Sequence, residues 1–196
     1  MVAALFVERD GIYPALLDIW YDEIRDARTY PGPEPVVAHP PCARWSRLAE
    51  SVQARMPHLR VGEDGGCFAF ALSCVRRYGG VLEHPSETKA FAAHGLPAPA
   101  RPGWQPAPGG WVCEVWQSAY GHLATKRTWL YYKGDAPPFD LRWERREGAF
   151  VVGGDSAKRR KQANPKPRLS AAENLATPPD FARELIKLAA HSRVQC

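Results

Sequence analysis

One cysteine stands in a part of the sequence that suits covalent catalysis. Cys42 ends the tetrapeptide His39-Pro40-Pro41-Cys42, which directly follows the apolar run Pro35-Val36-Val37-Ala38. The run predicts a short buried strand, and open α/β sheets bind ligands at the carboxyl ends of their strands. Two prolines restrict φ and remove two backbone donors, so the loop that carries the thiol is stiff. A thiolate is a strong nucleophile and a fixed position lowers the entropic cost of attack, so a catalytic role is predicted. The alternative is a buried structural cysteine.

A carboxyl group follows a second apolar strand in a similar way. Glu83 comes directly after Val81-Leu82 and is followed by His84-Pro85. If the two strands are neighbours, the thiol and the carboxyl group face one crevice at adjacent strand ends. These groups are the ones needed for addition across the 5,6 double bond of a pyrimidine, because the thiolate attacks C6 while the carboxyl group bonds the N3 edge. C5 then becomes nucleophilic. The alternative is a solvent-exposed acid at a strand end.

Two further polar residues lie near a predicted turn. His122 follows Gly121 and could act as a proton shuttle, or it could be a hydrogen-bonded loop residue. Gln117 ends a predicted strand, and its amide could reach a base or simply cap the loop.

Composition limits the classes of protein to consider. A chain of 196 residues suits a single α/β domain spanning 1–196, with a Pro/Gly-rich loop at 95–110 and a basic loop at 153–170. We find no long apolar run and no signal peptide, so we expect neither a membrane span nor secretion. Five cysteines, an odd number, favour a reducing compartment and a cytoplasmic location. No CxxC pair occurs, so we expect no metal site.

Positive charge is concentrated near the C-terminal third of the chain. The net charge is +5, which favours an anionic partner. Glycines precede the basic stretch and prolines interrupt it, which predicts a loop that contacts phosphates without reading bases. The alternative is a solvated loop without a partner. The basic residues are Lys158, Arg159, Arg160, Lys161, Lys166 and Arg168.

Alternating strands and helices must position these groups. The pattern predicts an α/β fold with a mainly parallel sheet covered by helices on both faces. Asp64 is placed to cap a helix that ends at Gly79, and Thr177 and Pro178 are predicted to begin an amphipathic helix. Strands are predicted at 3–7, 19–21, 36–38, 81–82, 111–116 and 128–132, and helices at 45–55, 64–78 and from 178 onward.

Four segments together resemble the DNA (cytosine-5) methyltransferases. Pro40-Pro41-Cys42-Ala43-Arg44-Trp45-Ser46 resembles the Pro-Pro-Cys motif of that family, and Leu82-Glu83-His84-Pro85 resembles its Glu-Asn-Val motif. Two later segments, 120–130 and 173–179, resemble the Tyr-Gly turn that leads to spaced arginines and the late Gly-Asn-x-x-Pro-Pro motif. The motifs occur in the family's order, and their combination also resembles small proteins of bacteriophages.

The resemblance implies a Rossmann-like methyltransferase-type fold in truncated form and a role for each matching residue. Cys42 would be the nucleophile, Glu83 would hold the base edge, and Arg127, with Lys126 as an alternative, would orient the base. DNA would be the partner and S-adenosylmethionine the cofactor, with no metal. The remaining substrate-binding candidates are Pro41, Arg44, Ser46, His84, Gln117, Tyr120, His122 and Lys126, and the cofactor-binding candidates are Phe6, Asp22, Glu23 and Asn174.

The state of the thiol can also be predicted. Arg44 and Arg127 are expected to lower the pKa of Cys42 and to keep part of it as thiolate near neutral pH. Cys67 and Cys74 lie on the apolar face of a predicted helix, so we expect them to be unreactive.

The sequence departs from the family at two places, and three functions remain open. The family's first motif is a glycine-rich turn, whereas Phe6 is followed by Val7-Glu8-Arg9-Asp10-Gly11. The stretch between Gly134 and Glu173 is short for a target-recognition domain. The functions are methylation of DNA at C5 of a pyrimidine, the same Cys42/Glu83 chemistry with another substrate or donor, and DNA binding or interference with restriction without catalysis.

Overall fold

One mixed sheet organises the molecule. A computed structural model describes residues 1–134, 136, 138–152 and 165–192 of the chain. Within them the strands are β1 (Ala3–Leu5), β2 (Ile19–Tyr21), β3 (Val36–Ala38), β4 (Gly80–Pro85), β5 (Gln105–Ala107), β6 (Gly110–Trp116) and β7 (Arg127–Lys133). Their order across the sheet is β2-β1-β3-β4-β7-β6-β5. The predicted α/β class is therefore confirmed.

The first four strands are parallel and their ends are aligned. Leu5 of β1 pairs with Ala38 of β3, and Ala38 pairs with Leu82 of β4. Most residues of these strands are apolar and buried, as expected for parallel strands covered on both faces. The residues that follow at the carboxyl ends, Phe6 and His39, consequently lie at the same level as Glu83.

The other three strands are antiparallel, so the prediction of a mainly parallel sheet is wrong. β7 runs antiparallel to β4 and to β6, and β5 runs antiparallel to β6. The connections explain the difference, because parallel neighbours need a crossover of about a dozen residues or more. Only residues 117–126 join β6 to β7, and only residues 108 and 109 join β5 to β6. The predicted loop at 95–110 thus contains strand β5.

Helices cover both faces of the sheet, as predicted. The α-helices are α1 (Ala49–Arg55), α2 (Cys67–Tyr78), α3 (Lys89–Ala93), α4 (Ala171–Leu175) and α5 (Pro179–His191), and short 3-10 helices span Tyr13–Ala15, Ala27–Thr29 and Gln117–Tyr120. Asp64 accepts a hydrogen bond from the backbone N–H of Phe68, which confirms its role at the start of α2. α5 begins one residue later than predicted, with Pro178 as its N-cap. No helix among the described residues could span a membrane.

The alternating side chains of the central strands separate two cores. On one face, Ala38 and Leu82 pack with Phe68 and Val75 of α2. On the other face, Val37 and Val81 pack with residues of α5, which include Phe181, Leu185 and Leu188. The two cores follow from the two-residue period of a strand, because successive side chains point to opposite faces. The central strands are therefore held between α2 and α5.

The path of the chain forms a topological switch point at the carboxyl ends of β1 and β3. From β1 the chain passes to β2 on one side, and from β3 it passes to β4 on the other side. The connections from two adjacent parallel strands therefore diverge, and such switch points are where open α/β sheets bind ligands. Phe6 and His39 are the first residues beyond β1 and β3 at this point.

A close backbone approach at Gly80 joins β3 to β4. Gly80 has φ +119°, and an added Cβ would lie 2.0 Å from the carbonyl oxygen of Val36. The backbone N–H of Val36 also donates to the carbonyl of Gly79 at 3.1 Å. Any larger residue at Gly80 would force these two strands apart.

We expect Gly80→Ala to lower the free energy of unfolding by at least about 3 kcal/mol, because it combines backbone strain with a clash against β3. Gly95→Ala is the matched control, since Gly95 has φ +71° with nothing within 4 Å of an added Cβ. The free energy of unfolding of this control should fall by only about 1 kcal/mol. Urea denaturation followed by circular dichroism measures both, and equal losses would contradict the account.

Candidate active site

The parallel pairing of β3 with β4 brings the two predicted reactive residues to one place. Ala38 pairs with Leu82, so His39 lies next to Glu83 and the Pro40-Pro41-Cys42 turn begins beside the carboxyl group. His39 Nδ1 lies 2.9 Å from Glu83 Oε2. The strands that carry Cys42 and Glu83 are therefore neighbours, as predicted.

Glu83 is the centre of a hydrogen-bonded cluster that draws on several elements. We call Tyr13, His39, Glu83, Gln117 and Thr128 the Glu83 cluster. Gln117 Nε2 donates to Glu83 Oε1 at 3.1 Å, and the Thr128 hydroxyl donates to the same oxygen. Thr128 Oγ1 also lies 2.9 Å from the carbonyl oxygen of His84, so its single proton serves one acceptor at a time. Glu83 is only 8% exposed, yet both carboxylate oxygens have a donor.

The cluster keeps Glu83 ionised. Burial by itself would raise the pKa of this carboxyl group, since desolvation disfavours the charged form. The hydrogen bond and the charge of His39, the charge of Lys126 and the bond from Thr128 outweigh burial and lower the pKa of Glu83 to about 2. Near neutral pH the carboxylate therefore accepts hydrogen bonds and donates none.

His39 connects Glu83 to a buried tyrosine. The hydroxyl of Tyr13 lies 2.7 Å from His39 Nε2. Burial, followed by the charge of Glu83, raises the pKa of Tyr13 well above its usual value, so the hydroxyl remains protonated. The cluster thus contains an ordered chain from Tyr13 through His39 to Glu83.

Neither Tyr13 nor His39 was among the sequence-predicted site residues. His39 carried a usable signal, because it is the first residue after a buried parallel strand. Tyr13 carried none, since its contact depends on β1 and β3 being adjacent in the sheet.

Cys42 is half-buried, and the prediction of a lowered pKa is wrong. Burial raises the pKa of the Cys42 thiol, the negative charge of Glu83 raises it further, and the charge of Lys126 only partly opposes them. Arg127 forms ion pairs with Glu87 and Glu114 instead. The resting thiol is therefore protonated at neutral pH. Burial also raises the pKa of Cys67 and of Cys74, the latter to about 11, so the pKa direction does not single out Cys42.

Lys126 contributes positive charge to this site. Its ammonium group donates to the carbonyl oxygen of Asn174 at 2.9 Å. The charge of Lys126 influences the pKa values of Glu83, Cys42 and His122, whereas Arg127 is paired with Glu87 and Glu114. The alternative assignment of Lys126 is thus the one that the electrostatics favours.

One buried polar atom beside Glu83, Gln117 Oε1, has no hydrogen-bond partner in the described part of the chain. His84 Nε2 and His122 Nε2 also lack a well-formed hydrogen bond there, although backbone groups of Pro41 and Asn174 interact with these rings. His84 Nδ1 lies 2.7 Å from the Thr88 hydroxyl, and burial lowers the pKa of His84 to about 4. His122 Nδ1 accepts from the backbone N–H of Ala124 at 3.0 Å, and burial lowers its pKa also. Both rings are therefore neutral at physiological pH.

The other substrate-binding candidates lie around the cluster or in the scaffold. Tyr120 accepts a hydrogen bond from the backbone N–H of Arg142 and packs 5.1 Å from the ring of Phe181, which is a structural role. The carbonyl of Ser46 accepts from Ala49 at the start of α1. Pro41 is exposed and Arg44 is half-buried beside Cys42.

Three of the four cofactor-binding candidates follow two adjacent strands. Phe6 follows β1 with φ 59°, an unusual conformation for an aromatic residue. Asp22 follows β2, which pairs with β1, and it already accepts from Arg9 Nε and from the backbone N–H of Arg25. Glu23 is exposed at the same edge, whereas Asn174 lies beside Lys126, which precedes β7.

Most of the predicted basic stretch lies outside the described residues. Lys158, Arg159, Arg160 and Lys161 fall in that part of the chain. Of the two described members, Lys166 donates to the carbonyl of Gly148 and pairs with Glu147, and Arg168 is exposed.

Neither a metal-binding group nor a second polar cluster of this kind is indicated elsewhere in the described residues. These residues contain no group of three or more His, Cys, Asp or Glu residues that could hold a metal ion. An open depression of about 420 Å³ lies along α2, and none of its lining residues belongs to the Glu83 cluster. Its lining residues are Ala69, Leu72, Ser73, Arg76, Arg77 and His94.

Comparisons with known proteins assign no family to this arrangement. No model of a known protein family, no curated protein and no solved structure matches the chain. Function must therefore be argued from the geometry of the Glu83 cluster and Cys42.

The coupling between Glu83 and Cys42 can be measured directly. We expect Glu83→Gln to lower the pKa of Cys42, because it removes a nearby negative charge, and Lys126→Met to raise it. Alkylation by iodoacetamide near pH 8 should become roughly 2- to 5-fold faster in the first variant and slower in the second. Peptide mass spectrometry resolves each cysteine, with Cys67 as the internal control. Unchanged alkylation rates at Cys42 in both variants would contradict the placement of Glu83 and Lys126 close to the Cys42 thiol.

Proposed function

We propose that this protein modifies C5 of a pyrimidine in nucleic acid, with Cys42 as a transient covalent nucleophile. One observation carries the proposal, namely that the parallel β3–β4 pair sets the stiff Cys42 turn beside the ionised carboxylate of Glu83. Cys42 and Glu83 lie at the carboxyl end of the β3–β4 pair, next to the switch point between β1 and β3. A nucleophile and an orienting group in one crevice are the parts that such chemistry requires.

The proposed reaction uses the residues as follows. The Cys42 thiol loses its proton to solvent, and its sulfur forms a bond to C6 of the ring. The electrons of the 5,6 double bond move toward the ring carbonyl or imine, which makes C5 nucleophilic. C5 then bonds to an electrophile, its hydrogen leaves as a proton, and the C6–sulfur bond breaks to restore the double bond and the thiolate. Glu83 orients the ring through its N3 edge.

The charges favour a thiol that is activated only when a substrate is bound. Glu83 and burial keep Cys42 protonated in the free protein, whereas Lys126 opposes that effect. A ring that donates a hydrogen bond to the carboxylate offsets part of the effect of its negative charge on the sulfur. Ionisation of Cys42 therefore becomes easier at the moment when it is needed.

The donor is proposed as a class. Cytosine-5 methylation with S-adenosylmethionine is the simplest reaction of this kind and the one that the sequence resemblance implies. Of the cofactor-binding candidates, Phe6 and Asp22 follow adjacent strands and Asn174 lies beside Lys126, and we assign no step to the cofactor. A one-carbon electrophile of another type is compatible with the same Cys42 chemistry.

Nucleic acid is the proposed partner. The net charge of +5 favours an anion, and the stretch from Lys158 to Arg168 has no acidic residue. Near the site, Arg44 is half-buried and follows Cys42 by two residues, and it is the proposed phosphate contact.

A nucleic-acid-binding protein without catalysis is the second candidate. It is favoured by the raised pKa of Cys42. A non-catalytic binding protein, however, has no use for the ionised carboxylate of Glu83 that the cluster maintains.

A mechanism-based trap tests the proposal. Oligonucleotides that carry 5-fluorocytosine or 5-fluorouracil should form a denaturation-resistant adduct with Cys42, because fluorine at C5 blocks release of the enzyme. S-Adenosylmethionine and a folate-type donor are supplied in separate reactions, and the corresponding nucleoside monophosphates replace the oligonucleotides in a parallel series.

We expect Cys42→Ser to abolish the adduct and Glu83→Gln to slow it roughly 100-fold or more, as for loss of an orienting acid–base group. Cys67→Ser is the matched control and should react like the wild type. Absence of any adduct with every donor, together with no selective alkylation at Cys42, would support the non-catalytic candidate instead.

A further inference from the structure

The hydrogen bonds of Glu83 restrict the kind of pyrimidine that can lie over it. His39 Nδ1 and Gln117 Nε2 both donate to the carboxylate, at 2.9 and 3.1 Å. Gln117 Oε1, which is buried next to it, has no partner in the described residues and can only accept. The interior side of the site therefore presents two acceptors, the Glu83 carboxylate and Gln117 Oε1. The N–H groups of His39 and Gln117 already donate to Glu83 and are not available to a ring.

The two natural types of pyrimidine differ at the atom that faces this carboxylate. A uracil-type ring carries a hydrogen on N3, between two carbonyl oxygens. Cytosine carries a lone pair on N3, between an amino group and a carbonyl oxygen. An ionised carboxylate accepts a hydrogen bond from N3–H, whereas it repels the lone pair of a cytosine N3, and the N–H groups of His39 and Gln117 that face it already donate to Glu83.

The nearby cation suits the remaining part of a uracil-type ring. Lys126 has three N–H donors, and in the described residues one of them bonds to the carbonyl oxygen of Asn174. Its charge acts on both Glu83 and Cys42, so it is the cation that we assign to a ring placed between them. When sulfur adds to C6 of such a ring, negative charge develops on O4, where an ammonium group stabilises it.

We propose that the substrate base is a uracil-type pyrimidine, with N3–H donating to Glu83 and O4 accepting from Lys126. This inference rests on the proposed Cys42 chemistry and specifies the base that it acts on. Glu83 then functions as a specificity-determining acceptor, and His39 and Gln117 act through it as positioning residues.

A donor-free reaction isolates the base preference. Cys42 sulfur bonds to C6 and its proton passes to solvent, which leaves an enolate at C4–O4. Water protonates C5, the original C5 hydrogen then leaves as a proton, and the C6–sulfur bond breaks. Nothing is oxidised or reduced, and the net result is exchange of the C5 hydrogen with water.

The experiment measures tritium release from two oligonucleotides of the same sequence, one with 5-tritiated uracil and one with 5-tritiated cytosine. We expect release from uracil to be at least about tenfold faster, in line with the cost of an unpaired polar group in a specificity site. Glu83→Gln supplies an N–H donor and should shift the uracil-to-cytosine ratio toward cytosine by at least about tenfold. Glu87→Gln removes an exposed acid outside the cluster and should leave the ratio unchanged.

Each outcome decides one question. Release that depends on Cys42 but is equal or faster with cytosine would overturn the uracil-type assignment and leave the proposed function intact. No Cys42-dependent release from either base would count against the proposed function itself. The wild-type ratio decides the assignment by itself, so a Glu83→Gln protein that fails to fold does not affect the conclusion.

Discussion

A buried carboxylate held by donors from separate strands is the interaction on which this site depends. Glu83 accepts from His39 beyond β3, from Thr128 on β7 and from Gln117 after β6. A buried charge costs several kcal/mol unless hydrogen bonds replace its lost hydration. The mixed sheet supplies them, because the parallel half delivers His39 and the antiparallel half delivers Thr128 and Gln117 to the same end of β4.

The same interaction links the fold to the proposed chemistry. Because Glu83 is ionised, it raises the pKa of Cys42 in the free protein, and it offers an acceptor to an incoming ring. Lys126 balances both effects from the loop that precedes β7. In the proposed chemistry, reactivity, orientation and choice of base therefore depend on one carboxylate, which His39 and Thr128 help to keep ionised.

Sequence patterns predicted the local elements and the two reactive positions, but not the contacts between them. The apolar runs before Cys42 and Glu83 and the helix α2 were recognisable because their signals lie within a few residues. The antiparallel β6–β7 pair was missed although the short connection at 117–126 indicated it, and β5 was predicted as part of a loop. The partners of Glu83 come from distant parts of the chain, and the pKa of Cys42 depends on burial, so neither could be derived from spacing.

Carbon-13 NMR of the Glu83 carboxyl group, assigned by its absence from the Glu83→Gln spectrum, tests the central claim most directly. The account predicts that this carbon keeps the chemical shift of a carboxylate through the range where ordinary glutamates titrate, near pH ~4.3. It should change only toward pH values of about 2, the pKa that the cluster imposes. A Glu83 signal that titrates at or above the ordinary range would contradict the account, because the carboxyl group could then donate to the ring.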